Sequence, residues 1–235
     1  MTETNLVVEA NISITDMLRG ELYETTEKDK AVKAGFNVDG HQFKPKKIIT
    51  GQGEIIKGIE EELTKMKEKE RKIIHLEPKD GFGERKPELT RVVALKDFRD
   101  RKLNPVPGLL IEVNNLIGKV QSVSGGRVRV DFNHPLAGKK IEVELELVRE
   151  IKDNKEKLEV LGEKYFPFIK KENIEVKDSE LIITAKGQEK QAVKIMKERF
   201  DKMSETLFKG TKIKLSLKDD KEEPNKENEP AENEN

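Results

Sequence analysis

The chain opens on a period of two. Leu6, Val8, Ala10, Ile12 and Ile14 alternate with Val7, Glu9, Asn11, Ser13 and Thr15, the pattern of a half-buried strand. Arg19-Gly20 reads as a turn into a second strand over Glu21 to Thr25. Residues Glu27 to Pro45 show no period and carry Gly35, Gly40 and Pro45, which predicts a long loop. Ile48 and Ile49 then lead into Gly51-x-Gly53. There the period changes: Ile55, Ile56, Ile59, Leu63 and Met66 recur at steps of three and four, one face of a short helix, with Glu60 to Glu62 opposite. A charged connection, Lys67 to Arg71, precedes a strand at Ile73 to Leu76.

Between Lys86 and Asp131 the apolar runs shorten to Val92–Leu95, Leu109–Val113, Ile117–Val123 and Arg127–Phe132. Turn signals at Asn104-Pro105, Pro107-Gly108, Asn114-Asn115 and Gly125-Gly126 separate them, as in a small all-β insertion. Ile141, Val143, Leu145 and Leu147 then alternate with Glu142, Glu144 and Glu146, a strand returning to the first domain. Asp153 to Lys157 reads as a polar linker, and Leu158 to Ile169 as helical or mixed. A hairpin follows across Asp178-Ser179, with Ile174 to Val176 and Leu181 to Thr184 as its arms. Ala192, Val193, Met196, Phe200, Met203 and Leu207 trace one face of a long helix, and Ile213, Leu215 and Leu217 a last strand. The domains predicted are residues 1–86 with 132–152, an insert at 87–131, an α/β domain at 153–217, and a disordered acidic tail at 218–235.

Composition narrows the function classes. The chain is 39% charged and 34% hydrophobic, with 46 basic and 46 acidic residues, the profile of a solvated protein with modest cores. From Lys218 onward eight acidic residues face three lysines, which leaves about five dispersed positive charges on the rest, too few for nucleic acid. There is no cysteine, hence no disulfide or thiolate chemistry. No apolar run spans a bilayer and the start lacks a signal-peptide pattern, so the expected location is cytoplasmic, with no membrane partner. His41, His75 and His134 are single and scattered, His134 within a motif that reads as structural, so no metal is expected. Gly51-x-Gly53 lacks the further glycine of a dinucleotide loop and any Gly-Lys-Ser/Thr, so no cofactor is expected.

Three stretches in order carry more: Thr50 to Met66 (TGQGEIIKGIEEELTKM), Glu77 to Gly83 (EPKDGFG) and Phe132 to Lys139 (FNHPLAGK). Together they resemble the FKBP-type peptidyl-prolyl cis-trans isomerases, in particular the SlyD-like and long archaeal members. The resemblance covers roughly residues 5 to 151. It implies an α+β fold: an FKBP-like bent antiparallel sheet with a short helix across it, a small all-β insert domain in the flap, and a separate C-terminal α/β domain.

Transferred onto this sequence, the resemblance makes Ile55, Ile56 and Ile59 the floor of an apolar pocket and Phe82 its loop aromatic. Tyr23 and Ile141 become walls, and Glu24 the acidic rim residue. Departures stand beside these matches. Glu24 replaces the usual Asp, Ile14 stands where many relatives have tyrosine, Ile59 and Ile141 are aliphatic, and Met66 to Glu70 lacks the customary glycine. The implied activity is rotation of X-Pro bonds in unfolded chains while the insert holds the substrate. Leu109, Leu110, Ile111, Ile117 and Val120 are more apolar surface than so small a module can bury, which fits a grip on unfolded chains or an interface with the first domain. The alternative is a holdase on the same fold with little isomerase activity, motivated by the aliphatic positions. A weaker one is a scaffold assembled as a homodimer through the C-terminal domain. The helix over Gln188 to Phe208 serves either its own core or such a dimer face.

Overall fold

The computed structural model describes residues 5–113 and 115–219, so the expected tail lies outside it from residue 220 on. Its first two residues, Lys218 and Asp219, belong instead to the last strand. Two compact units divide the chain, one over 8–149 and the other over 150–219 with 5–7.

The first unit is built on β1 (Val7–Asp16), which pairs with β2 (Glu21–Thr25) and with β3 (Lys46–Ile49). β9 (Ile141–Glu150) lies beyond β1, and β4 (Arg71–Leu76) pairs antiparallel with β9 at the edge. Alternation holds cleanly in β9, where Ile141, Val143, Leu145 and Leu147 are buried. β1 is buried beyond its even positions, Ser13 included, because hydroxyls and an acid answer one another there. Ser13 Oγ lies 2.8 Å from Thr25 Oγ1, and the Ile12 N–H donates to Thr26 Oγ1 at 3.0 Å.

Two expectations outside the insert need correcting in this unit. The stretch read as a long loop contains α1 (Lys28–Lys33), six residues anchored by buried Ala31 and by Lys30, which pairs with Glu27 at 2.6 Å and Glu144 at 2.8 Å. So short a helix completes too few turns to show a period. The second helix, α2 (Lys57–Leu63), starts later than its apolar spacing implied. Ile56 caps it with extended ψ, so Ile55 and Ile56 belong to the segment that leads into the helix rather than to its face. Ile59 and Leu63 are its buried face, and Gly58 lets it sit close on β4, since a Cβ there would come within 2.5 Å of Leu76 Cδ2.

After α2 the chain turns back through Lys69, whose φ of 65° falls where glycine is at ease, while its N–H donates to the Leu147 carbonyl at 2.6 Å. A side chain in this region carries a cost of about 1–2 kcal/mol, part of which glycine returns through its freer unfolded chain. Lys69→Gly is therefore expected to raise stability by about 0.5 kcal/mol. A urea midpoint that moves up with unchanged slope is the check; a lower midpoint would mean the lysine has a compensating role.

The insert forms its own sheet in the order β5 (Thr90–Ala94), β8 (Arg127–Asp131), β7 (Leu116–Ser124), β6 (Leu110–Val113). It is not all-β. α3 (Leu95–Asp100) buries Phe98 into a small core with Ile111, Val120, Val128 and Val130. Six residues again gave no period. Leu110 and Ile117 are left 65% and 67% exposed, as the count of apolar residues implied.

The second unit runs α4 (Asn154–Tyr165), β10 (Ile174–Lys177), β11 (Glu180–Ala185), α5 (Gly187–Leu207), β12 (Lys214–Asp219). The supposed polar linker is the cap and first turn of α4: the Asp153 carboxylate accepts the Glu156 N–H at 2.8 Å. β11 pairs antiparallel with β10 and parallel with β12, with α5 as the crossover. Val193, Phe200 and Met203 of α5 are buried, and Phe200 packs on Phe166 with ring centroids 5.6 Å apart.

Candidate active site

Two loops and one strand irregularity build the site. The loop with Phe82 leaves a one-turn helical segment, Pro78–Asp80, and closes when the Gly83 N–H donates to the Pro78 carbonyl at 2.7 Å. The loop with His134 turns over Pro135, whose fixed φ suits the second place of such a turn, and the Ala137 N–H reaches the His134 carbonyl at 2.9 Å. The two loops are tied directly, Gly138 N–H to Gly83 carbonyl at 2.8 Å. Gly83 and Gly138 hold φ of 76° and 72° there, which only glycine adopts cheaply.

The third contribution is Tyr23. Across β1 and β2, Ile14 pairs with Glu24 but Thr15 with Leu22, so Tyr23 is the extra residue of a bulge. Bulges re-aim side chains, often beside active sites.

The result is an aromatic trio. The Phe82 and His134 rings stack with centroids 4.1 Å apart and planes 4° from parallel. Tyr23 meets both edge-on, at 6.2 Å from Phe82 and 5.4 Å from His134. Its hydroxyl lies 3.2 Å from His134 Nε2, and His134 Nδ1 accepts the Leu136 N–H at 3.1 Å. Tyr23 and His134 border a cleft of about 1000 Å³ whose far wall includes Leu110 and Ile117 of the insert.

The aliphatic positions differ from one another. Ile55 and Ile56 are half-buried, whereas Ile59 and Ile141 are closed off, at 1% and 0% exposure. Ile141 lies against the aromatic loop: a Cβ at Gly81 would sit 3.4 Å from Ile141 Cδ1. Glu24 is ion-paired with Lys46 of β3. Ile14 is buried inside the sheet.

Charge is arranged around the trio rather than in it. Buried Asp16, at the end of β1, receives Lys139 Nζ at 2.6 Å, and this bond holds its carboxyl below the ordinary range. Burial works against the charge on Asp131, yet hydrogen bonds from Asn133 and Arg85 outweigh it and keep that carboxyl low as well. The Asn133 amide also clasps Lys86, accepting its N–H at 2.8 Å and donating to its carbonyl at 3.0 Å, where the chain enters and leaves the insert. Partial burial lowers His134 below the usual histidine value, ahead of a smaller opposing pull from Glu24. The unfolded chain thus takes that proton first, so the neutral ring's contribution to stability is present above about pH 6.5 and lost as the pH falls through the folded value.

His134, which the sequence places in a motif that reads as structural, lies against both Tyr23 and Phe82. The available signal was local: a histidine before Pro135 can accept a backbone N–H two residues on, as Asx side chains do. Among the described residues, no group of three or more His, Cys, Asp or Glu side chains is placed to hold a metal. Nor is any helix among them long and apolar enough to cross a membrane.

Comparisons with known proteins point to one family. Residues 15–96 match the family model for FKBP-type peptidyl-prolyl cis-trans isomerase, and residues 91–136 match one described as FKBP26, IF domain. The chain is 30% identical over 122 residues to the short-type peptidyl-prolyl cis-trans isomerase of Methanocaldococcus jannaschii, covering 52% of this chain and 78% of that one. It is 28% identical over 109 residues to a probable FKBP-type 16 kDa peptidyl-prolyl cis-trans isomerase of Pseudomonas fluorescens, covering 44% and 71% respectively. To the FKBP-type 16 kDa isomerase of Escherichia coli it is 26% identical over 109 residues, covering 45% and 73%. With a relative 30% identical and covered over 78% of its length, and a matching family model over residues 15–96, the chain belongs to the FKBP-type peptidyl-prolyl cis-trans isomerase family.

Proposed function

We propose that the protein rotates X-Pro bonds of unfolded or partly folded chains at the Tyr23/Phe82/His134 cleft and uses the insert to hold them. Ile55 and Ile56 serve as the accessible aliphatic surface, Ile59 and Ile141 support it from below, and Glu24 orients the rim through Lys46. The barrier is amide resonance, roughly 18–20 kcal/mol, and unaided rotation takes tens to hundreds of seconds. The twisted amide has lost resonance and is less polar than the planar one. An apolar, water-poor surface that fits it therefore lowers the barrier without nucleophile, metal or cofactor.

The observation that carries the holding role is the apolar surface facing the same cleft, Leu110 and Ile117, next to a groove of about 450 Å³ lined by Val93, Phe98, Leu109 and Phe132. Excision of residues 87–131, bridged by a short loop, is expected to keep tetrapeptide isomerisation and to lose most acceleration of a proline-limited refolding reaction. Equal loss of both activities would remove the division of labour.

A holdase with weak isomerase activity is the second reading, favoured by the closed aliphatic positions Ile59 and Ile141. It would suppress aggregation while tetrapeptides turn at the unaided rate. As for a homodimer, Val193, Phe200 and Met203 commit one face of α5 to its own core, which leaves Ile195, 78% exposed, for a second copy to cover.

A further inference from the structure

The hydrogen bonds around His134 fix which of its nitrogens carries the proton, and with it the direction in which the Tyr23 hydroxyl points its own. Nδ1 faces the Leu136 N–H at 3.1 Å and must accept. A neutral imidazole with an acceptor at Nδ1 carries its hydrogen on Nε2. Nε2, 3.2 Å from the Tyr23 oxygen, therefore donates, and the tyrosine accepts. The phenolic hydrogen is then left over. Among the described residues the hydroxyl has no second partner, and it borders the cleft. Phe82, the other aromatic next to it, brings no hydroxyl of its own.

We propose that Tyr23 is a catalytic residue that donates a hydrogen bond to a substrate carbonyl, and that His134 is the positioning residue that keeps its O–H aimed into the cleft. This rests on the isomerase reading of the same cleft. The carbonyl served is one flanking the rotating bond. Donation to the rotating carbonyl itself would strengthen its resonance and raise the barrier. An anchor made alike in the planar and twisted forms acts on KM more than on kcat.

Two further features agree. Partial burial, then the Glu24 carboxylate, push the Tyr23 phenol above its ordinary value, so it stays a donor at every working pH. Protonating His134 would turn Nδ1–H against the Leu136 N–H, so acid breaks the arrangement. The charged groups around the ring are already paired: Glu24 with Lys46, Arg85 with Asp131, Lys139 with Asp16, and Arg19 with Glu21 at 3.7 Å.

The test uses the full-length protein and a tetrapeptide cis-trans assay from pH 5 to 8, with nitrogen-15 NMR of the histidine ring as a second readout. Tyr23→Phe is expected to lower kcat/KM about tenfold, the value of one hydrogen bond, mainly through KM. His134→Gln, whose amide can donate but does not titrate, should retain more neutral-pH activity than His134→Ala and flatten the acid limb of the profile. His134→Ala should resemble Tyr23→Phe. NMR should find Nδ1 unprotonated in the free protein. Full activity in Tyr23→Phe, an acid limb unchanged in His134→Gln, or a proton on Nδ1 would each overturn the assignment while the wild type still isomerises. A wild type without activity would overturn the isomerase reading together with it.

Discussion

Phe82→Ala is expected to lower isomerisation of a short X-Pro peptide by about ten- to a hundredfold while the chain stays folded. The magnitude follows from what the ring supplies. A fully buried phenylalanine contributes about 1.5–3 kcal/mol through its apolar area, the half-buried Phe82 about half of that, and each 1.4 kcal/mol is tenfold in rate. Its flat contact with His134, at 4.1 Å, adds the stacking preference of aromatic pairs, about 0.5–1.5 kcal/mol. Removing it would also free the imidazole that faces Tyr23, so the loss reaches the cleft wall that His134 forms. Phe82→Leu separates these effects, since it restores apolar area without a flat face and should recover part of the rate. Phe82 lies in a loop closed by backbone hydrogen bonds and is only half-buried, so folding should tolerate both variants. Unchanged peptide kinetics in Phe82→Ala, with a normal unfolding midpoint, would move the reaction away from this cleft.

What the sequence made legible follows from the kind of signal each feature leaves. β9 alternates over ten residues and α5 repeats over twenty-one, so both could be read directly. α1 and α3 are six residues each and left no period, which is why a loop and an all-β insert were expected in their places. Asp153 to Lys157 looked like a linker because a capping carboxylate and the polar first turn of a helix have the composition of a linker.

The site divides in the same way. Phe82 and the isoleucines could be proposed from ordered motifs. The bulge that singles out Tyr23 is a pairing irregularity, invisible without the partner strand. The role of His134 depends on a turn bringing its Nδ1 to the Leu136 N–H and on a glycine-to-glycine tie with the Phe82 loop, a contact across more than fifty residues. At the departure Glu24, the carboxylate is ion-paired to Lys46 of β3.

Lys139→Met is expected to destabilise the protein by about 2–3 kcal/mol, because it strands a buried charge. Asp16 is only 3% exposed, and without the ammonium its carboxylate would keep only backbone N–H donors, those of Leu18 at 3.0 Å and Arg19. Breaking a buried pair from one side costs about 3–5 kcal/mol, reduced here because Lys139 is itself partly open to water. Methionine preserves most of the aliphatic stem, which confines the change to the charge. The pH dependence gives the mechanism away. In the wild type the Asp16 carboxyl lies below its unfolded value, so the pair's contribution is complete above about pH 4 and fades as the pH falls through the folded value. In the variant the same carboxyl rises, and acid then relieves the buried charge, so the two stability curves should converge on acidification. Adding Asp16→Asn should recover much of the loss at neutral pH, since the amide oxygen can still accept the Leu18 N–H. A neutral-pH urea midpoint equal to that of the wild type would show that water replaces the lysine. The consequence for function is direct: this pair fastens the turn between β1 and β2 to the loop that carries His134. A variant that is still folded should then lose isomerase activity more steeply than its stability alone accounts for.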